Sequence, residues 1–133
     1  MKTAVFGIVI AVLVFASALA HGIYGWSAVR EALSTYAVHS DIMGALAVGW
    51  YFGSAAMLTF ACVILRDAVR QLGRKSVDSG TLWIIALAYV LFGAIAFIAR
   101  EFNPHFLLFI VTGILVGAFS FLCSKRREHS EIS

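Results

Sequence analysis

Four long apolar stretches divide the chain, and polar residues are concentrated between them. The stretches cover residues 3–26, 42–65, 81–99 and 104–123. In a helix each would be roughly 28–36 Å long, which is enough to cross a hydrocarbon core of about 30 Å. No acidic or basic residue lies in the middle of any stretch. Because lipid offers the backbone no hydrogen-bond partners, the pattern predicts four transmembrane helices.

The composition favours lipid as the medium of most of the chain. Charged residues make up 13% of the 133 residues, and the mean hydropathy is +0.94. A soluble domain carries roughly a quarter charged residues, so this chain lacks the polar surface that a globule of its size needs. The four spans and their loops use nearly every residue, which predicts a single membrane domain covering 1–133 with the lipid bilayer as its first partner.

The basic residues predict the orientation. Eight of the ten Lys and Arg residues lie at the N-terminus, in the second loop or in the C-terminal tail, whereas Arg30 and Arg100 lie in the other two loops. By the positive-inside rule, both termini are expected in the cytoplasm. The fold class is therefore an all-α, four-helix transmembrane bundle with up-down-up-down topology. The net charge of +3 comes from basic residues that flank the apolar spans, where they orient a membrane protein. We therefore expect no nucleic-acid partner.

Two features around the first span leave alternatives open. Lys2, the apolar run 4–16 and an A-x-A pattern ending at Ala20 imitate a secretory signal, with cleavage after Ala20. Apolar sequence continues through Trp26, which favours an uncleaved span. The loop that follows carries apolar residues at helical spacing over 28–38. It predicts a short helix that either lies on the outer surface or packs down on the bundle.

Three histidines are expected at the outer face: His21, His39 and His105. Imidazoles with a nearby carboxylate can bind zinc or copper, and two imidazoles on facing helices can ligate haem. No metal-binding motif such as H-E-x-x-H supports this prediction. The alternative is that these histidines are interfacial residues hydrogen-bonded to loops and water. No nucleophile–base pair stands out, which favours a protein that is not an enzyme.

Small and aromatic residues suggest two further roles. The pairs Gly49/Gly53 and Gly113/Gly117 have the G-x-x-x-G spacing that lets helices approach closely. They predict a docking face for another membrane subunit or a second copy, with packing inside the bundle as the alternative. Trp50 in the second span and Tyr89 in the third are candidates to line a slot for a lipid tail or a quinone, unless they simply pack.

The sequence resembles a broad class of proteins at two places, GWYFGSAAM over 49–57 and FNPHFLLF over 102–109. By these stretches it resembles small four-span bacterial inner-membrane proteins of uncharacterised function. The resemblance implies an inner-membrane location with the periplasm as the outer side, and it carries no activity or site residue. Our leading expectation is an accessory or assembly subunit that acts through helix packing. The alternatives are a metal or haem protein and a lipid or quinone binder.

Overall fold

The computed structural model describes residues 1–73 and 75–131, with side chains through Lys125. Arg74 and the side chains of Arg126 and Arg127, which contribute to the predicted orientation, lie outside the described residues. The described part is helical and contains no strand. Its elements are α1 (Lys2–Ala20), a π-helical segment (His21–Gly25), α2 (Trp26–Ser34), α3 (Ser40–Leu72), α4 (Ser79–Ala99), a 3-10 turn (Pro104–Phe106) and α5 (Leu107–Glu131).

Four helices in this part are long and apolar enough to cross a membrane. They are Lys2–Ser34, Ser40–Leu72, Ser79–Ala99 and Pro104–Lys125. The all-α class with four membrane-length helices is thereby confirmed. The first two helices have 33 residues each and extend past the apolar stretches 3–26 and 42–65. Polar residues beyond an apolar segment can continue a helix in water, so hydropathy marks the membrane-embedded part rather than the helix ends.

The prediction for residues 28–38 is corrected. The segment α2 is a direct continuation of α1, because the backbone stays right-handed helical at Ala20, Gly25 and Trp26. Neither a separate surface helix nor a helix folded back on the bundle is found. The chain turns only after Ser34, where His39 becomes the N-cap of α3 and its Nδ1 accepts a hydrogen bond from the Asp41 amide at 3.4 Å.

The helices form two antiparallel pairs of unequal length. The long pair consists of the α1–α2 helix and α3, and the short pair consists of α4 and α5. In the long pair Gly7 lies against Ala68 and Gly25 lies against Trp50, so the two helices run in opposite directions. A helix of 33 residues is about 50 Å long, whereas the 21 residues of α4 span about 32 Å.

Glycine sets the close approach within the short pair. A Cβ atom at Gly113 would lie 2.6 Å from Val90 Cγ2 and 2.7 Å from the Ala86 carbonyl oxygen. At Gly93 it would lie 2.9 Å from the Ile110 amide nitrogen. A side chain at either position would push the helices apart, which is the reason small residues occur at such contacts in membranes.

The two pairs meet most closely around Phe119, and we call this part of the bundle the closed half. The Phe119 ring occupies the space that a side chain at Gly7 would need. Each of the four helices contributes a fully or almost fully buried side chain to this core: Ile10, Ile64, Leu82 and Phe119. Ser120 Oγ also donates a hydrogen bond to the Ser79 carbonyl at 2.9 Å. Toward the other end of the bundle the pairs diverge.

A tight turn joins α4 to α5 at that diverging end. The Phe102 amide donates to the Phe97 carbonyl at 2.8 Å and the Glu101 amide donates to the Ile98 carbonyl at 3.3 Å, which is a Schellman motif. Glu101 has φ 55° and Phe102 has φ 62°, a left-handed conformation in which glycine is the usual residue. The Phe97 and Phe102 rings meet at 5.3 Å. Asn103 then caps the next turn by accepting from the His105 amide at 3.0 Å.

Candidate functional site

A partly open cleft of about 240 Å³ separates the two helix pairs where they diverge. We call this part of the bundle the open half. Most of the lining comes from α3 and α4, with one residue from the π-helical segment and one from α5. Among the described residues that line the cleft there is no Lys, Arg, Asp or Glu, and its surface is almost entirely apolar. The lining residues are His21, Gly53, Ala56, Met57, Phe60, Ala88, Tyr89, Phe92 and Phe109.

The π-helical segment shapes one end of this cleft. Trp50 of α3 donates a hydrogen bond from Nε1 to the His21 carbonyl at 2.7 Å, inside the segment where the regular helical ladder is interrupted. Side chains that enter the ladder in this way commonly accompany such irregularities. Gly25 permits the contact, because a Cβ there would lie 2.8 Å from Trp50 Cζ2. The hydrogen bond and the close approach at Gly25 therefore hold the Trp50 side chain of α3 against the π-helical segment.

The same tryptophan holds the His21 side chain in place. The two rings are stacked, with centroids 4.3 Å apart and planes 9° from parallel. His21 Nε2 lies 3.8 Å from the position that a Cβ at Gly53 would take, so the ring edge borders the cleft. Neither ring nitrogen makes a hydrogen bond within the described part of the chain. One polar group with unused hydrogen-bonding capacity is thus fixed at the cleft wall.

Tyr89, which also lines the cleft, supplies a second polar group. Its side chain is only 5% exposed. The ring contacts Phe60 edge-on and is stacked on Phe109, at centroid distances of 5.9 and 6.1 Å. The hydroxyl has no hydrogen-bond partner among the described residues. A buried tyrosine hydroxyl usually finds a partner, and leaving one unpaired costs roughly 1–3 kcal/mol.

The three histidines predicted as metal ligands have different surroundings. His21 borders the cleft, His39 caps α3 and is exposed, and the His105 ring packs edge-on against Phe106 and Phe109 at 5.7 and 6.3 Å. No three His, Cys, Asp or Glu side chains in the described residues form a group that could hold a metal ion. The metal or haem site stays a prediction from the sequence, without a supporting cluster.

The four glycines predicted as packing sites also separate. Gly113 and Gly117 face α4, where a Cβ at Gly117 would lie 3.1 Å from Trp83 Cζ3. Gly53 borders the cleft, whereas a Cβ at Gly49 would meet no described atom within 4 Å outside its own turns of α3. The spacing in α5 therefore reflects packing inside the bundle, whereas Gly49 lies on the outward face of α3.

The slot predicted from Trp50 and Tyr89 is assembled differently from expectation. Tyr89 lines the cleft directly, whereas Trp50 acts one step away by holding His21. The sequence reasoning did not include His21, Phe60 or Phe109 in the slot. Their sequence separations carry no signal of convergence, and only the relative placement of the two helix pairs brings them together.

A buried carboxylate in the closed half was also missed. The Asp67 side chain is 0% exposed, whereas the Arg66 side chain is 51% exposed. Arg66 Nε donates a hydrogen bond to Asp67 Oδ1 at 2.8 Å. Asp67 Oδ2 has no hydrogen-bond partner among the described residues. The hydropathy pattern placed Asp67 in a loop, but α3 continues to Leu72 and turns this residue inward.

Comparison of the chain with protein-family models, with curated proteins and with solved structures gave no match. The site must therefore be interpreted from its own geometry.

Proposed function

We propose that this integral membrane protein binds a small apolar molecule in the cleft between α3 and α4. The observation that carries the proposal is a partly open, almost entirely apolar cleft that is lined by Tyr89, whose buried hydroxyl has no hydrogen-bond partner among the described residues. A bound molecule with a hydrogen-bond acceptor would satisfy this group. Ligand sites commonly combine an apolar wall with one or two polar groups in this way.

The charge distribution supports an orientation for this site. We place the protein in a bacterial inner membrane, with both termini in the cytoplasm and up-down-up-down topology, because most Lys and Arg residues flank the ends that would then face inward. The closed half lies toward the cytoplasm in this arrangement. The cleft lies toward the periplasmic side, and its opening faces lipid, from which an apolar ligand can enter.

The size of the cleft supports binding of part of a molecule. Sites for drug-sized ligands measure about 300–1,000 Å³, and this cleft is smaller, at about 240 Å³. It accommodates a ring or a chain segment while the remainder of the ligand stays in the bilayer. Because the lining consists almost entirely of apolar side chains, binding rather than catalysis is the proposed activity.

Two substitutions on one helix test the proposal. Gly53→Leu places a side chain in the cleft, whereas Gly49→Leu places the same side chain on the outward face of α3, four residues away. Purified variants in lipid nanodiscs would be titrated with a decyl-tailed aromatic probe, and bound probe counted by native mass spectrometry. We expect Gly53→Leu to abolish binding and Gly49→Leu to retain it. Equal binding by both variants would refute a ligand site in the cleft.

An accessory or assembly subunit is the second candidate. It is favoured by the outward face of α3, where a Cβ at Gly44 or Gly49 would meet no described atom from another helix within 4 Å and where Val48 and Phe52 are exposed. Another transmembrane helix could approach this surface closely. The same two variants separate the candidates, because this function predicts that Gly49→Leu weakens co-purification of a membrane partner and Gly53→Leu does not.

A further inference from the structure

Two polar groups of cleft-lining residues have no hydrogen-bond partner in the described protein. They are the Tyr89 hydroxyl and the His21 imidazole. An acyl chain would cover both groups without bonding to either, and each unpaired group would weaken binding. The ligand that best complements the cleft therefore carries polar atoms on an apolar body.

The charge of the lining restricts those polar atoms. No Lys or Arg is among the described residues that line the cleft. A phosphate or carboxylate would lose its hydration there without gaining a cation, which is strongly unfavourable in apolar surroundings. The ligand's acceptors are consequently neutral oxygens, of which a carbonyl is the strongest hydrogen-bond acceptor compatible with a membrane-soluble molecule.

The aromatic lining restricts the shape. Phe60 and Phe109 both contact the Tyr89 ring, and Phe92 meets Phe109 edge to face at 5.0 Å. Such rings favour offset stacking or edge contact with another flat ring. His21 is itself held parallel to Trp50, so its imidazole also presents a rigid edge. These features suit a flat head group better than a flexible chain.

We propose that the cleft binds the head ring of a membrane quinone, with one ring carbonyl accepting a hydrogen bond from Tyr89 and the other facing His21. This inference rests on the proposed function, since it names the ligand class of the same cleft. The isoprenoid tail extends into the bilayer through the open side. The inference concerns binding alone, and no electron transfer is included.

A matched pair of probes tests the ligand class. Decyl-1,4-benzoquinone and decylbenzene each have a flat six-membered carbon ring and a decyl tail, but only the quinone carries carbonyl oxygens. In nanodiscs we expect the wild-type protein to bind the quinone about tenfold more tightly, which is the upper range for one neutral hydrogen bond. Tyr89→Phe should remove most of this preference, because the quinone loses its hydrogen-bond donor. Tyr51→Phe, an exposed tyrosine on α3 outside the cleft, is the matched control.

The infrared spectrum of the bound quinone tests the hydrogen bond without relying on binding affinity. The carbonyl stretching frequency of bound quinone should fall in the wild-type protein through hydrogen bonding, and it should return to the frequency in bulk lipid in Tyr89→Phe. Equal binding of the two probes, or a carbonyl band that Tyr89→Phe does not move, would overturn the quinone assignment. Quinone binding that occurs only when the nanodisc is built from ether-linked lipids, which lack ester carbonyls, would identify the ester carbonyls of phospholipid as the ligand instead. If Gly53→Leu leaves binding of every probe intact, the proposed cleft function itself fails.

Discussion

The closed half and the open half of the bundle show how the same four helices can either seal together or leave a site between them. In the closed half a glycine faces an aromatic ring, since Gly7 receives the edge of Phe119. In the open half aromatic rings and an imidazole face one another, and about 240 Å³ remains between the pairs. Lipid tails are as apolar as the side chains, so helix association in a membrane depends on close packing. Side-chain size therefore decides where the two pairs close.

The largest expected effect tests this difference in packing directly. Phe119→Ala removes a ring that is 0% exposed, and we expect a loss of about 3 kcal/mol of stability. The same substitution at Phe92, which is 54% exposed at the cleft, should cost less than about 1 kcal/mol. Thermal unfolding of both variants in one detergent gives the comparison. Equal losses would mean that the two halves are packed alike.

The Arg66–Asp67 pair provides the second test, within the closed half. Arg66→Leu leaves a buried carboxylate with no partner in the described residues, and we expect it to cost about 2–3 kcal/mol, below the range for a fully buried pair because Arg66 is half exposed. Asp67→Leu removes the charge with its unpaired Oδ2 and should be nearly neutral. The double variant should resemble Asp67→Leu. Equal destabilisation by the two single variants would contradict this account.

A smaller effect is expected at the turn that ends the open half. Glu101 has φ 55° at the position of a Schellman motif where glycine is preferred. Glu101→Gly should therefore raise stability by about 1 kcal/mol, measured as an increase in Tm. Phe102→Gly relieves a similar conformation but loses the ring contact with Phe97 at 5.3 Å, so its gain should be smaller or absent. A decrease in Tm for Glu101→Gly would show that the turn is not strained.

The smallest effect concerns the cap of α4 at the end of the closed half. The Thr81 hydroxyl and the Thr81 amide both donate to the Asp78 carboxylate, and these bonds lower the pKa of Asp78 from its ordinary value of 3.8. Because the folded pKa is the lower one, the bonds stabilise the protein fully above pH 3.8 and this contribution is lost as the pH falls further. Thr81→Val should flatten this part of the Tm–pH curve, and an unchanged curve would contradict the role of the cap.

The fold was more accessible from sequence than the site. Four apolar stretches sufficed to predict four membrane-length helices, because the length and polarity of a span are local properties. The continuation of α1 into α2 was not predicted, since the apolar spacing over 28–38 fits a separate helix as well as an extension. Glu101 carried no sign of a helix C-terminus, because the motif there lacks its usual glycine. His21 and Tyr89 were singled out individually, but their shared cleft depends on how the two pairs lean apart.

The unequal pairs have a consequence for the surrounding lipid. A hydrocarbon layer about 30 Å thick matches the roughly 32 Å of α4, but the long pair is about 50 Å from end to end. The long pair must either lean or stand clear of the membrane surface, and each response changes with the thickness of the bilayer. Lipids beside the long pair and lipids beside the short pair therefore have to match helices of different length within one small protein.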